Sequence, residues 1–378
     1  MKTKRKLYHS IPYGAAACCF ALLMLVTACG AQDDPAMEKE DKLELSDKEI
    51  LISADGWKPM AESRATIFET QDDLQNTDNG KGGGYFTLYA FTGGSDTPFI
   101  NGTQVRYQKG TGRWRFYAGE SYFEYYWPQS GTYDFFACMP HGNQQKNITG
   151  ITYDNAQGKV TLTCQMQSTT EDDDKTTDDS KDPLGQETII AYTPSLSKES
   201  GAVNMYFVHP FAAIYFKLKQ AHRDLKIHSI KFENIYLGGT ATINEETTGE
   251  TVVGWTPISD SKKTFTIPVE KMIPTELNFD AEIGGPYLVM PQDFGKGTKV
   301  DTDDVKITIK YTWNDGIDNG SDTHEFTRSI TTNNIKRWIA GNKYTYILDL
   351  GDNQEEILFK VQVEPWVSGG QKNEIDIE

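Results

Sequence analysis

The residue whose setting most clearly prescribes chemistry is Cys29, which follows Val26-Thr27-Ala28 at the end of an apolar run. Small residues at positions 27 and 28 fit the pocket of a signal peptidase. A thiol directly after them can accept a diacylglyceryl group before the chain is cut. Upstream, Lys2, Lys4, Arg5 and Lys6 hold the amino end on the cytoplasmic side, and Ala15 to Val26 is long enough to enter a translocon but short for a stable membrane span. Residues 1–28 therefore read as a lipoprotein signal peptide, with Cys29 as the lipid acceptor at the head of the mature chain. An ordinary secretory signal with an incidental cysteine is the competing reading.

Other reactive residue types lack the company that catalysis or metal binding needs. With Cys18 and Cys19 in the signal and Cys29 acylated, only Cys138 and Cys164 remain, either as one disulfide or as two buried thiols. There is no C-x-x-C and no His/Cys cluster with zinc spacing. The acidic run Glu171-Asp172-Asp173-Asp174 with Asp178-Asp179, and the segment Asn314 to Asp322, lack the spaced ligands of a calcium loop. They read as a solvated insertion and a hairpin loop. His209, beside Pro210, reads as a hydrogen-bonded core histidine. Neither a nucleophile elbow nor a phosphate loop is present, so no enzyme, cofactor or metal is expected. The formal net charge of -17 becomes -21 once residues 1–28, with four positive and no negative side chains, are removed. So acidic a surface repels phosphate backbones, which argues against nucleic acid as a partner.

The elements that must carry these residues are strands. From Gly30 to about Ser63 the chain is charged and poor in large apolar residues apart from Ile50-Leu51-Ile52 and Trp57, which reads as a tether carrying one strand. Beyond Arg64 come short aromatic and β-branched runs bounded by Gly, Pro, Asn and Asp: Tyr85 to Phe91, Tyr122 to Trp127, Tyr133 to Cys138 and the alternating Lys159 to Met166. Thr188 to Tyr192, Val203 to His209 and Ala213 to Leu218 continue the pattern up to a domain boundary near Gln220. A second set runs from Lys226 to Val363. The spacing predicts an all-β chain of two consecutive sandwiches: residues 1–28 signal, 29–64 tether and N-terminal strand, 65–220 first sandwich, 221–378 second.

Ordered landmarks make the chain similar to the fimbrillin-like (Mfa-like) family, the lipoprotein-derived subunits of type V pili. Trp127-Pro128 with Gly131, Tyr133 and Phe135-Phe136-Ala137 resembles its first-domain core segment. Phe207 to Ala212 resembles its His-containing strand, and Leu288 to Gln292 its Pro-Gln turn. Trp338 to Tyr346 resembles its Trp-x-x-Gly-x-x-Tyr segment, and Val361 to Trp366 its terminal strand. The resemblance implies transthyretin-like, Greek-key sandwiches whose landmark residues build the fold.

It also implies a lipid-anchored, surface-exposed outer-membrane precursor that becomes part of a fimbrium. In that scheme an arginine-specific surface protease cuts at Arg64-Ala65 and the strand holding Ile50, Leu51 and Ile52 is removed. Another fimbrial subunit, of the same or a different kind, then pairs with the vacated edge. Gln32-Asp33-Asp34 is similar to the acidic tag that marks export to the outer leaflet in some Gram-negative lipoproteins. Val361, Val363 and Trp366, with Ile375 and Ile377, are the candidate donor strands, and a host or bacterial surface ligand is a further implied partner. In the uncut protein, residues 48–57 should form a strand paired inside the first sandwich. The alternative function is a surface glycan-binding lipoprotein that does not polymerise.

Overall fold

β-branched and aromatic residues recur between turn residues, so the chain folds by pairing extended segments. The computed structural model describes residues 45–57, 70–76, 83–92, 95, 97–142, 147–154, 156–166, 187–220, 225–245, 251–258, 262–273, 281–294, 304–313, 323–330, 335–350, 357–365 and 373–377. The first half supplies β1 (Leu45–Glu49), β2 (Ile52–Trp57), helix α1 (Gln71–Gln75), β3 (Tyr85–Thr92), β4 (Ile100–Gln108), β5 (Arg113–Ala118), β6 (Ser121–Phe123), β7 (Tyr126–Pro128), β8 (Tyr133–Met139), β9 (Ile148–Asp154), β10 (Lys159–Gln165), β11 (Ile189–Leu196), β12 (Val203–Val208) and β13 (Ala212–Gln220). The second supplies β14 (Leu225–Tyr236), β15 (Gly238–Glu245), β16 (Thr251–Pro257), β17 (Lys262–Ile273), β18 (Ala281–Val289), β19 (Gln292–Asp293), β20 (Lys306–Trp313), β21 (Thr323–Ser329), β22 (Arg337–Trp338), β23 (Asn342–Leu350), β24 (Ile357–Pro365) and β25 (Asn373–Ile377).

The fold is all-β and holds two sandwiches. In the first, an eight-stranded sheet ordered β2-β12-β11-β8-β3-β4-β5-β6 is covered by a four-stranded sheet ordered β16-β15-β10-β9. The second sets β18-β13-β23-β24-β25 against β17-β14-β20-β21, with Phe216 of one sheet 6.0 Å from Phe232 of the other between ring centroids. Short ladders β1-β7 and β19-β22 complete the pairing. The run Tyr122 to Trp127, expected as one strand, divides because β6 pairs with β5 while β7 pairs with β1.

Strands β3, β8 and β11 are buried on both faces. Leu88, Ala137 and Ala191 point into one cluster, alongside Phe86, Phe135 and Ile189. Phe91, Phe136, Cys138, Ile190 and Tyr192 point into another, which they share with Val160, Leu162 and Cys164 of the covering sheet. Two apolar faces explain why these strands read as continuous apolar runs instead of alternating ones.

Strand pairing divides the chain differently from a break at Gln220. β13, which the sequence places in the first sandwich, runs parallel to β23 in the second, from Ala213↔Lys343 to Gln220↔Asp349. β15 in turn reaches back to pair with β10 over six positions, from Val160↔Ile243 to Gln165↔Gly238. That ladder satisfies the edge of β10 and lets Ala241 and Ile243 extend the same cluster as Val160 and Leu162.

Polar side chains pin the turns between strands. Gln292 takes the place of a strand's backbone: Tyr236 N–H donates to its Oε1 at 2.7 Å, and its Nε2 donates to the carbonyls of Tyr236 and Met290, each at 3.1 Å. Trp338 Nε1 donates to the Tyr346 hydroxyl at 3.0 Å, and Ile339 N–H donates to the Tyr344 hydroxyl at 2.9 Å. Gly341, at φ +71°, makes the turn between them. His209 Nδ1 lies 2.5 Å from Glu187 Oε1 in a buried pair.

Asp134 on β8 links the two sheets of the first sandwich. Tyr153 and Tyr192 donate to its Oδ2 at 2.7 and 3.1 Å, and Ser195 N–H donates to Oδ1 at 2.8 Å. Burial, and after it the Asp134 carboxylate, push the Tyr153 phenol above its usual range. Asp134→Ala is expected to lower the unfolding free energy by about 1–2 kcal/mol, since it leaves the part-buried Tyr153 hydroxyl without its acceptor while Tyr192 keeps the Gly158 carbonyl at 2.7 Å and Ser195 N–H is exposed to water. Urea denaturation checks this, and a loss below about 0.5 kcal/mol would show that the link contributes little.

Cys138 and Cys164 are free and buried, which resolves the disulfide alternative in favour of thiols. Burial pushes the Cys164 thiol up to about 12. In protein produced from residue 30 onward, a thiol reagent at mildly alkaline pH should label neither cysteine until denaturant is added, because the thiolate is the reactive form.

Candidate functional site: the N-terminal strand and its groove

The first sandwich closes through its N-terminal strand. The eight-stranded sheet curls until its end strand β2, paired with β12, also meets β5, next to the other end of the order. It runs parallel to β12 (Val203↔Ile52, Asn204↔Ser53, Tyr206↔Gly56, Phe207↔Trp57), and it touches β5 at one antiparallel position, Ile52↔Trp114. Just upstream, β1 pairs with β7 through Leu45↔Pro128 and Glu49↔Tyr126. Ile50 N–H donates to the Tyr125 carbonyl at 2.7 Å, and Val203 N–H donates to the Leu51 carbonyl at 2.8 Å. Lys48 and Glu199 form an ion pair at 2.7 Å, but both are exposed, so it adds little.

Alternation along this segment decides what it buries. Ile50, Ile52 and Ala54 are 2%, 9% and 0% exposed, whereas Leu51 between them is 49% exposed. The inward residues join the cluster of Phe86, Trp114, Phe116 and Phe207, in which Phe86 lies 5.1 Å from Trp114 and 5.6 Å from Phe207. Burial of each isoleucine contributes about 1.5–3 kcal/mol. Residues 50–54 are thus a structural part of the core as well as a closing strand.

The β5 side of the groove is only partly filled. A cavity of about 250 Å³ lies between the segment and β5, with apolar lining from Ile50, Ile52, Trp114, Phe116 and Phe123 and charged lining from Glu49, Arg113 and Arg115. Trp114 Nε1 is buried there without a hydrogen-bond partner among the described residues. Partial burial, then the charge of Glu124, raises the Glu49 carboxyl above its usual range, against the opposing pull of Arg115 and Arg113.

Of the residues singled out from sequence, Ile50 and Ile52 face this core, and Leu51 contributes its carbonyl while its side chain faces outward. Cys29, Arg64, Ala65 and Trp366 lie outside the described residues. Val361 and Val363 sit in β24, which is flanked by β23 and β25; Val361 is fully buried and Val363 partly so. Ile375 and Ile377 pair with Val361 and Phe359 in β25, the edge strand of that sheet. The wall on β5 is the part of the site that sequence reasoning misses, although the alternation Arg113-Trp114-Arg115-Phe116 is its signal. The chemistry on offer is backbone pairing and apolar burial. Among the described residues, no group of three or more His, Cys, Asp or Glu is placed to hold a metal ion.

The model of the fimbrillin-like family matches residues 67–366, so the match begins after the N-terminal strand. A solved fimbrial protein from Bacteroides vulgatus is 15% identical with a TM-score of 0.51, over 85% of this chain and 100% of that one. A structure described as a cell adhesion protein from Bacteroides uniformis is 15% identical with a TM-score of 0.47, over 84% and 99%. The tip fimbrial protein Mfa3 from Porphyromonas gingivalis, with a C-terminal truncation, is 9% identical with a TM-score of 0.34, over 84% and 99%. No curated protein matches the chain. At such identities the likeness to the Bacteroides vulgatus structure is one of fold, and it is the match across most of the chain that decides: this protein belongs to the fimbrillin-like family, whose members are structural proteins and not enzymes.

Proposed function

We propose that the chain is a fimbrial subunit or fimbria-associated adhesin that is exported, lipidated at Cys29 and held at the bacterial outer membrane. In this reading an arginine-specific surface protease cuts at Arg64-Ala65, and the segment ending in β2 then leaves its groove. A strand of a neighbouring subunit takes its place, since a vacated edge with an apolar floor offers both hydrogen-bonding groups and burial. The observation that carries the reading is the inward triplet Ile50, Ile52 and Ala54: it completes a core from a segment paired along β12 but joined to β5 at one position.

The terminal sequence suits a donor. Glu374-Ile375-Asp376-Ile377-Glu378 alternates acids with isoleucines, and Arg113-Trp114-Arg115-Phe116 alternates arginines with aromatics, so one register sets acid beside arginine and isoleucine beside ring. Val361, Val363 and Trp366 are the second donor candidate. A second reading, a surface glycan-binding lipoprotein that does not polymerise, draws support from β25 staying paired to β24 within its own sheet. The same pairing suits a tip or accessory subunit over a repeated stalk unit.

Incubating the purified chain with an arginine-specific protease and following it by size-exclusion chromatography tests the proposal. Trimming near Arg64 should be followed by growth of higher oligomers, and Arg64→Ala should remain uncut at that position and monomeric. A fully trimmed chain that stays monomeric would remove strand exchange in favour of the second reading. In the uncut protein, Ile52→Ala should lower stability by about 2–4 kcal/mol and Leu51→Ala by no more than about 0.5 kcal/mol. Equal effects in urea unfolding would contradict the inward alternation.

A further inference from the structure

The outer face of β4, β5 and β6 carries a cationic row that the fold itself does not require. Arg106 of β4 stands directly opposite Arg115 of β5 in their ladder, and like charges so placed destabilise a sheet. Arg113 lies two residues along the same strand, and therefore on the same face, about 7 Å away. Arg106 has no carboxylate partner among the described residues. Arg115 has one loose contact, to Glu124 at 3.6 Å, and that carboxylate also accepts the Tyr126 hydroxyl at 2.9 Å. A chain with a formal net charge of -17 thus gathers three guanidinium groups on one face, opposed there among the described residues only by Glu124 at 3.6 Å from Arg115 and by the charge of Glu49 beside Arg113 and Arg115.

The tyrosines hold this arrangement in place. Arg106 Cζ lies 5.0 Å above the Tyr117 ring and Arg115 Cζ 5.4 Å above the Tyr122 ring, while the two rings meet edge to face at 5.2 Å. A guanidinium held over a ring through its cation–π contact can still present N–H groups for paired hydrogen bonds; those of Arg106 have no carboxylate partner among the described residues, and Arg115 has only its loose contact to Glu124. A planar anion with two oxygens matches that edge, and placed between Arg106 and Arg115 it would cancel their repulsion.

We propose that this face binds an acidic polysaccharide through the carboxylates of its uronate residues, with Arg106 and Arg115 as the fork and Arg113 engaging the next carboxylate. A polymer with carboxylates at repeated intervals suits a row of cations better than an isolated anion does, and its sugar rings can lie beside Tyr117 and Tyr122. The site shares Arg113 and Arg115 with the rim of the groove cavity, whereas Trp114 and Phe116 face inward; testing the uncut chain, in which the resident strand is in place, keeps polysaccharide binding distinguishable from strand exchange.

Affinity electrophoresis of the full, uncut chain through gels containing polygalacturonate, dextran, dextran sulfate or polyglutamate provides the test. Polygalacturonate should retard the protein, neutral dextran should not, and about 0.5 M NaCl should abolish the retardation. Arg106→Ala with Arg115→Ala should weaken binding by about tenfold or more, and the Arg106→Lys, Arg115→Lys pair, which keeps charge but loses the fork, by several-fold. Both pairs are surface changes, and a common urea midpoint with the parent chain verifies that they fold. Absence of retardation, equal retardation by dextran, or undiminished binding by the alanine pair would overturn the proposal. Full binding by the lysine pair would overturn the fork. Preference for dextran sulfate would replace carboxylate by sulfate recognition, and preference for polyglutamate would point to an acidic protein partner, either result overturning the uronate assignment.

Discussion

The structure depends on how an apolar sheet edge is satisfied at the seam of the first sandwich. Strand β2 hydrogen-bonds along β12 while Ile50, Ile52 and Ala54 fill the cluster beneath. Neither contribution suffices alone. Unpaired backbone groups over an apolar floor are costly, and an apolar side chain without a paired backbone has no fixed register. The requirement is for a strand of the right alternation, and nothing in it demands that the strand belong to the same chain. This closure engages β12 over several positions and β5 at one, unlike the closures made by β3, β8 and β11.

Those central strands show the contrast. Each is hydrogen-bonded on both edges and buried on both faces, so removing one would open two clusters at once. The ladder from β10 to β15 and the parallel pairing of β13 with β23 weave the two halves of the sequence together. The consequence is that Glu44 to Glu378 forms one compact unit, within which the closing strand is held on β5 at a single position and next to a cavity. The hold on this strand is therefore weaker along β5 than along β12.

Much of this was legible in the sequence because strand texture is local. The aromatic runs at Tyr85, Tyr133 and Val203, and the alternation of Lys159 to Gln165, correspond to β3, β8, β12 and β10. Partner choice was not legible, since period-two alternation says which face is buried and nothing about which strand lies alongside. That is why β13 and β15 cross a boundary drawn at Gln220. The inward position of Ile50 and Ile52 follows from their spacing, but the wall they meet could not be read from it. Arg113 to Phe116 acquires meaning only once β5 is seen to face the groove with one side and to present its arginines on the other.

β5 thus carries two kinds of information on its two faces. Inward, Trp114 and Phe116 join the cluster that Ile50, Ile52 and Ala54 complete. Outward, Arg113 and Arg115 oppose the charge of the rest of the chain. A surface as acidic as this one repels its like, and a point of opposite sign on it lowers that repulsion locally. The arginine row is such a point, and Glu49 of the resident segment lies within its field. A strand that brings acids to this edge and isoleucines to the floor satisfies charge and burial in a single register, whereas a one-residue slip places acids on the apolar floor. The alternation of β5 therefore fixes the register of the strand beside it through charge and burial together.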